Sequence, residues 1–230
     1  MKTFTEVCSE IEKSILENYH TDNENSLPIT DGIVNIKNYL KAKYKILWIL
    51  KEPYDEDDGT GGGWSLCRDF LATTDFYKRI GRSRKTWHPI IYVSYGILNG
   101  FLRYSDMDSI RNDPRMVNVI KDIAVINIKK NPGFTRVYNY SNIWNAYQKN
   151  KEILLLQLKT YKPDIIIGGS TLHYFLEDLG VSVSTGFPYF IKDAKIFINA
   201  YHPAQTQTRT EVYVDSIIDL AEKWAESKML

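Results

Sequence analysis

The sequence predicts an α/β fold, a three-layer α/β/α sandwich around a central four-stranded parallel sheet. The first observation is a set of four short apolar runs, ILWIL, AVIN, IIIGGS and KIFINA, each of which ends abruptly in polar residues, Pro or Gly. Buried parallel strands have such continuous apolar runs, because helices cover both faces of the sheet. The second observation is that amphipathic segments separate the runs. Strands that alternate with helices are typical of a parallel sheet with right-handed crossovers.

The N-terminal half contains two of the predicted strands. Apolar residues at every third or fourth position of residues 1–20 indicate a helix, and the first strand follows at 45–50. Residues 55–63 include four acidic residues and four glycines. This composition cannot form a core, so we expect a mobile loop there. Helices are then predicted over 64–79 and 90–102, and the second strand over 123–128.

The C-terminal half contains the other two strands. A long helix over 143–161 is ended by Lys162-Pro163, since proline cannot continue a helix. The third strand follows at 165–167, a helix at 172–179, the fourth strand at 196–199 and an amphipathic helix at 212–228. No internal repeat or linker divides the chain, so we expect residues 1–230 to form a single domain.

Composition limits the classes of function. The chain has 230 residues, of which 43% are hydrophobic and 25% charged, as is usual for a soluble globular protein. The net charge of +1 means that any nucleic-acid contact must be a local basic patch. Two cysteines, Cys8 and Cys67, are too few for a four-cysteine metal or cluster site. With no signal peptide and no long apolar segment, we expect a cytoplasmic monomer with no cofactor, metal cluster or membrane partner.

Polar residues stand at the carboxyl ends of the predicted strands, where open α/β sheets bind their ligands. Glu52 follows the first strand and either acts as a general base or forms an ion pair with Lys51 or Lys129. Asn127 ends the second strand and either pairs with the edge of a base or caps the strand. His202 follows the fourth strand. A lone histidine is more often structural than catalytic, but its place beside a Glu and an Asn makes it a catalytic candidate.

Three motifs occur in order along the chain. They are Lys51-Glu52-Pro53-Tyr54, then Asn127-Ile128-Lys129-Lys130-Asn131-Pro132-Gly133, then His202-Pro203-Ala204-Gln205. In order and spacing, from about residue 45 to residue 225, they resemble the motifs of the uracil-DNA glycosylase superfamily. The glycine-rich segment that ends at Trp64 resembles the loop that supplies a stacking ring in that superfamily.

The resemblance implies a strand order of 2-1-3-4, with the strands numbered along the chain, and removal of a deaminated or damaged base from DNA. It implies that Glu52 positions water and offsets charge on the sugar, and that His202 hydrogen-bonds the departing base. A flipped base would be bound by Asn127, Pro53, Tyr54 and Trp64. The DNA phosphates would be contacted by Lys51, Lys129, Lys130 and Arg136.

Three alternatives remain open at this point. The protein could be a catalytically silent member of the same fold that binds nucleic acid or a nucleotide. It could act on a free nucleoside or nucleotide, which the near-neutral net charge favours. It could also be an unrelated flavodoxin-like α/β protein whose strand ends coincide with the motifs.

Overall fold

The structure is a computed structural model that describes residues 2–19, 26–55, 60–81, 83–133 and 140–228. The strands are β1 (Gly32–Ile33), β2 (Ile46–Leu50), β3 (Ala124–Asn127), β4 (Ile165–Gly169), β5 (Tyr189–Lys192) and β6 (Lys195–Ala200). The α-helices are α1 (Phe4–Asn18), α2 (Ile36–Lys41), α3 (Phe76–Arg79), α4 (Arg84–Leu98), α5 (Tyr140–Tyr161) and α6 (Thr210–Ser227). Shorter helical turns are a π-helical turn at Leu66–Leu71 and 3₁₀ turns at Tyr104–Asp106, Pro114–Asp122 and Leu172–Tyr174.

The sheet has six strands in the order β1-β3-β2-β4-β6-β5. The four central strands are parallel to one another and are the four predicted from the sequence, so their order along the sheet is the predicted 2-1-3-4. The predicted four-stranded parallel sheet is only the centre of a larger mixed sheet, because β1 and β5 pair antiparallel at the two edges. β1 is only two residues long, so it shows no alternation of apolar and polar residues from which a strand could be predicted. β5 alternates between exposed and buried side chains, unlike the continuous apolar runs of the centre.

Helices cover both faces of the sheet, as predicted. Alternate residues of β2 point to opposite faces, so Trp48 belongs to one core and Leu47 and Ile49 to the other. The first core is closed by α4, α6 and the 3₁₀ turn at Pro114–Asp122. The second is closed by α1 and α5. Each strand end is therefore held between two packed layers.

Several predicted helices have different bounds in the structure. The helix predicted over 64–79 is two short pieces, the π-helical turn and α3, and that predicted over 172–179 is only the 3₁₀ turn at Leu172–Tyr174. α4 begins at Arg84, ahead of the predicted residue 90. No helix in the described part of the chain is both long and apolar enough to cross a membrane.

The acidic, glycine-rich segment 55–63 is described at its two ends only, and residues 56–59 lie outside the described residues. Its C-terminal end is held against the segment that precedes β1, since the Leu27 N–H donates to the Gly61 carbonyl at 2.8 Å. The Asp55 carboxylate accepts hydrogen bonds from the Gly62 N–H at 2.8 Å and from Trp64 Nε1 at 2.9 Å. A Cβ on Gly62 would lie 1.9 Å from the Leu27 carbonyl oxygen, so this close approach requires glycine.

Candidate functional site

The segments that follow the four central strands lie side by side. We call this surface the carboxyl edge and define it as residues 127–133, 51–54, 170–173 and 201–204. Backbone hydrogen bonds join the first two segments, from the Lys129 N–H to the Lys51 carbonyl at 2.9 Å and from the Gly133 N–H to the Pro53 carbonyl at 2.8 Å. The other two are joined where Ser170 Oγ accepts the His202 N–H at 3.0 Å.

His202 has a defined tautomer. Its Nδ1 accepts a hydrogen bond from the Ala204 N–H at 3.2 Å, so the proton of the neutral ring lies on Nε2. Burial, and secondly the positive charge of Lys51, lower the pKa of His202 to about 4. The ring is therefore neutral at pH 7, and Nε2–H is a hydrogen-bond donor without charge.

A second histidine lies near Lys51. His173 belongs to the 3₁₀ turn that follows β4 and is exposed to solvent. Its pKa is lowered by partial desolvation and then by the charge of Lys51. The positive charge of Lys51 thus lowers the pKa of both His173 and His202. The sequence prediction did not include His173. Its position three residues after Ser170, at the end of a predicted strand, is the signal that could have found it.

Glu52 forms an ion pair with Lys129, which is one of the two roles predicted for it. Its Oε2 lies 2.8 Å from Lys129 Nζ, and only 11% of its side chain is exposed. The carboxylate packs over the Cα of Gly133, where an added Cβ would lie 2.1 Å from Glu52 Cδ. Lys129 therefore fixes the orientation of Glu52. The charge of Lys129, which was predicted to contact phosphates, is paired with this carboxylate.

Asn127 is buried and contacts Asp31, which precedes β1. Asp31 Oδ2 accepts the Asn127 N–H at 2.7 Å, and Asn127 Nδ2 lies 3.5 Å from the same oxygen. Asp31 Oδ1 accepts a hydrogen bond from Lys130 Nζ at 2.6 Å, and Gln157 Oε1 accepts another from the same Nζ at 2.9 Å. The prediction that Lys130 contacts phosphates does not fit this placement, because its side chain is fully buried in this network.

The remaining predicted residues lie in different surroundings. Tyr54 is 44% exposed and forms an isolated bridge with Gly133, and Pro53 is buried beside it. Trp64 is half-buried, packs against the core below α4 and donates its Nε1–H to Asp55. Its indole is thus engaged in anchoring the 55–63 segment. Arg136 lies outside the described residues.

Two surface clefts lie elsewhere on the molecule. One, of about 360 Å³, is lined by residues of α4 and of the 3₁₀ turn at Pro114–Asp122. The other, of about 330 Å³, is lined by α1, β1 and both cysteines. Neither includes Glu52 or His202. Burial raises the pKa of Cys8 to about 11 and raises that of Cys67 further, so both thiols are protonated at pH 7.

Comparison with models of known protein families finds no match for this chain, and comparison with curated protein sequences finds none either.

Proposed function

We propose that the carboxyl edge binds a nucleotide of DNA and that the protein hydrolyses the N-glycosidic bond of a deaminated or damaged base. The observation that carries this proposal is the hydrogen bond from the Ala204 N–H to His202 Nδ1. Because Nδ1 accepts this bond, the proton of the neutral ring lies on Nε2, which is left as an uncharged donor. The motif order described above supports the same function by resemblance alone.

The chemistry needs a donor of this kind. Breaking the bond leaves negative charge on the departing base and positive charge on the sugar. A preorganised donor aimed at the developing negative charge contributes about 3–4 kcal/mol to transition-state stabilisation. His202 would donate to an oxygen of the departing base, and Glu52, held by Lys129, would position the attacking water. The target nucleotide must first leave the duplex stack, which costs a few kcal/mol.

A glycosylase assay tests this proposal. Oligonucleotides that contain uracil, hypoxanthine or xanthine are incubated with the wild-type protein, and base release is measured on single-stranded and duplex substrates. We expect the substitution His202→Gln to reduce the rate by about 100- to 1,000-fold, as removal of one such donor does elsewhere. His88→Gln is the control, because His88 lies on α4, outside the carboxyl edge. Absence of base release from every substrate, or equal rates for His202→Gln and wild type, would contradict the proposal.

A second candidate function is binding of a nucleotide without hydrolysis. It is favoured by the Glu52–Lys129 ion pair, which engages the carboxylate that hydrolysis would need. It is also favoured by the burial of Lys130, which removes one cation from contact with the several phosphates of a DNA strand. Isothermal titration with deoxyuridine monophosphate separates the two functions. Binding of the free nucleotide, together with no release of base from DNA, would favour the second.

A further inference from the structure

A group of stacked aromatic rings lies on the face of the sheet that is covered by α1 and α5. Trp144 and Tyr147 are one turn apart on α5, with ring centroids 6.2 Å apart and ring planes inclined by 22°. Tyr174 lies 6.0 Å from Trp144 and 6.2 Å from Tyr147. These distances are within the range of favourable aromatic pairs. We call Trp144, Tyr147 and Tyr174 the aromatic platform.

The platform combines two buried rings with one partly exposed ring. Tyr147 and Tyr174 are buried, whereas 42% of Trp144 is exposed. The Tyr147 hydroxyl donates to Asp178 at 2.9 Å, and Lys151 Nζ donates to the other oxygen of Asp178 at 2.8 Å. The exposed part of the indole is therefore supported by rings that are themselves fixed. Stacking of a ligand on the Trp144 indole therefore costs the protein little conformational entropy.

The chain topology places the platform at the carboxyl edge. α5 begins after the carboxyl end of β3 and ends just before β4, so it runs back along the sheet, antiparallel to these strands. Trp144 lies in the second turn of α5, and Tyr174 lies in the 3₁₀ turn that follows the carboxyl end of β4. Both residues therefore lie at the end of the sheet where His202 lies.

Contacts connect the platform to the candidate site. The ring of His173 lies 3.9 Å from that of Tyr174, between centroids. His173 stands three residues after Ser170, whose Oγ accepts the His202 N–H at 3.0 Å. A single exposed aromatic residue is common on protein surfaces. Trp144 differs from such a residue because ring contacts connect it, through Tyr174, to His173, and His173 belongs to the strand-end segment that is hydrogen-bonded to His202.

We propose that Trp144 stacks on an unpaired base of single-stranded DNA, at a nucleotide next to the one whose base is bound at the carboxyl edge. This inference rests on the proposed function and adds a second nucleotide contact to it. A base exposes its π-face only where the strand is unstacked, and every base has such a face, so the contact does not depend on sequence. Trp144 replaces Trp64 as the candidate stacking residue, because the Trp64 indole is engaged with Asp55.

Binding of an undamaged oligonucleotide tests this inference without any catalytic step. A fluorescein-labelled dT12 strand is titrated with wild type, Trp144→Ala, Trp144→Phe and Leu156→Ala, and fluorescence anisotropy gives Kd. We expect Trp144→Ala to raise Kd by about 5- to 150-fold, which corresponds to the 1–3 kcal/mol of stacking on one base. Trp144→Phe should retain most of the affinity, because a phenyl ring still stacks. Leu156→Ala is the matched control, since Leu156 is 44% exposed on the same helix and lies about 18 Å further along it.

The outcomes separate this inference from the proposed function. A Kd for Trp144→Ala within twofold of wild type, an equal loss in Leu156→Ala, or no binding of dT12 by wild type would overturn the stacking role. Thermal unfolding of each variant shows whether it is folded. If Trp144→Ala does not fold, the Kd of Trp144→Phe is compared with that of wild type instead. If base release is absent while the Trp144 dependence of dT12 binding is present, the proposed chemistry fails and the stacking contact stands.

Discussion

At the scale of single residues, the environment of His202 is the feature on which the candidate chemistry depends. A histidine next to a proline could be read from the sequence, and so could its place at a strand end. The tautomer of its ring could not, because it is set by a hydrogen bond within the 202–204 turn. Its protonation state follows chiefly from burial and secondly from the charge of Lys51, both of which depend on the tertiary structure.

A titration of the histidines by NMR tests this electrostatic arrangement. We expect His202 to titrate at a pH of about 4. The substitution Lys51→Met should raise the pKa of both His202 and His173, while leaving both below 6.5, because burial is the larger cause of each shift. Arg84→Met is the matched control, since Arg84 is the charge that lowers the pKa of His88. If Lys51→Met moves neither resonance, the proximity of Lys51 to the two rings is refuted.

At the scale of elements, the four central strands could be predicted because a buried parallel strand has an unbroken run of apolar residues. The edge strand β1 could not, since two residues have no periodicity. Because β1 was not predicted, the ion pair between Asp31 and Lys130 could not be predicted either. Asp31 immediately precedes β1, and only the pairing of β1 with β3 brings it to Lys130 and Asn127. In the sequence, Lys129 and Lys130 are two equivalent cations beside a loop.

The buried ion pair predicts an effect on stability. The substitution Lys130→Met leaves the Asp31 carboxylate buried without its cation, and we expect it to lower the free energy of unfolding by about 3–5 kcal/mol. Asp31→Leu combined with Lys130→Met should be less destabilising than Lys130→Met alone, because no charge then remains buried. Urea unfolding at pH 7 measures both.

The control for this prediction is a partly exposed ion pair of the same chemistry. Lys151 and Asp178 are 2.8 Å apart, but the lysine side chain is 36% exposed. We expect Lys151→Met to change the free energy of unfolding by about 1 kcal/mol or less. Similar losses in Lys130→Met and Lys151→Met would show that burial does not distinguish the two pairs.

At the scale of the whole molecule, the pKa shifts of the histidines predict how stability depends on pH. The pKa values of His88, His173 and His202 are all lowered, each chiefly by burial. Between the folded pKa and the unfolded value of about 6.5, the unfolded chain binds more protons than the folded chain. Stability should therefore be greatest above pH 6.5 and should fall as the pH is lowered towards 4.

His202 is expected to make the largest single histidine contribution to this fall. With a folded pKa of about 4, it should account for a loss of about 1–2 kcal/mol in the free energy of unfolding between pH 7 and pH 5. Urea unfolding at both pH values measures the loss, and the comparison with His202→Gln isolates the part that is due to this ring. The variant should lose less stability than wild type over the same interval, because glutamine does not titrate. An equal loss in both proteins would mean that His202 titrates normally, and the neutral donor on which the proposed chemistry depends would then be partly protonated near pH 6.5.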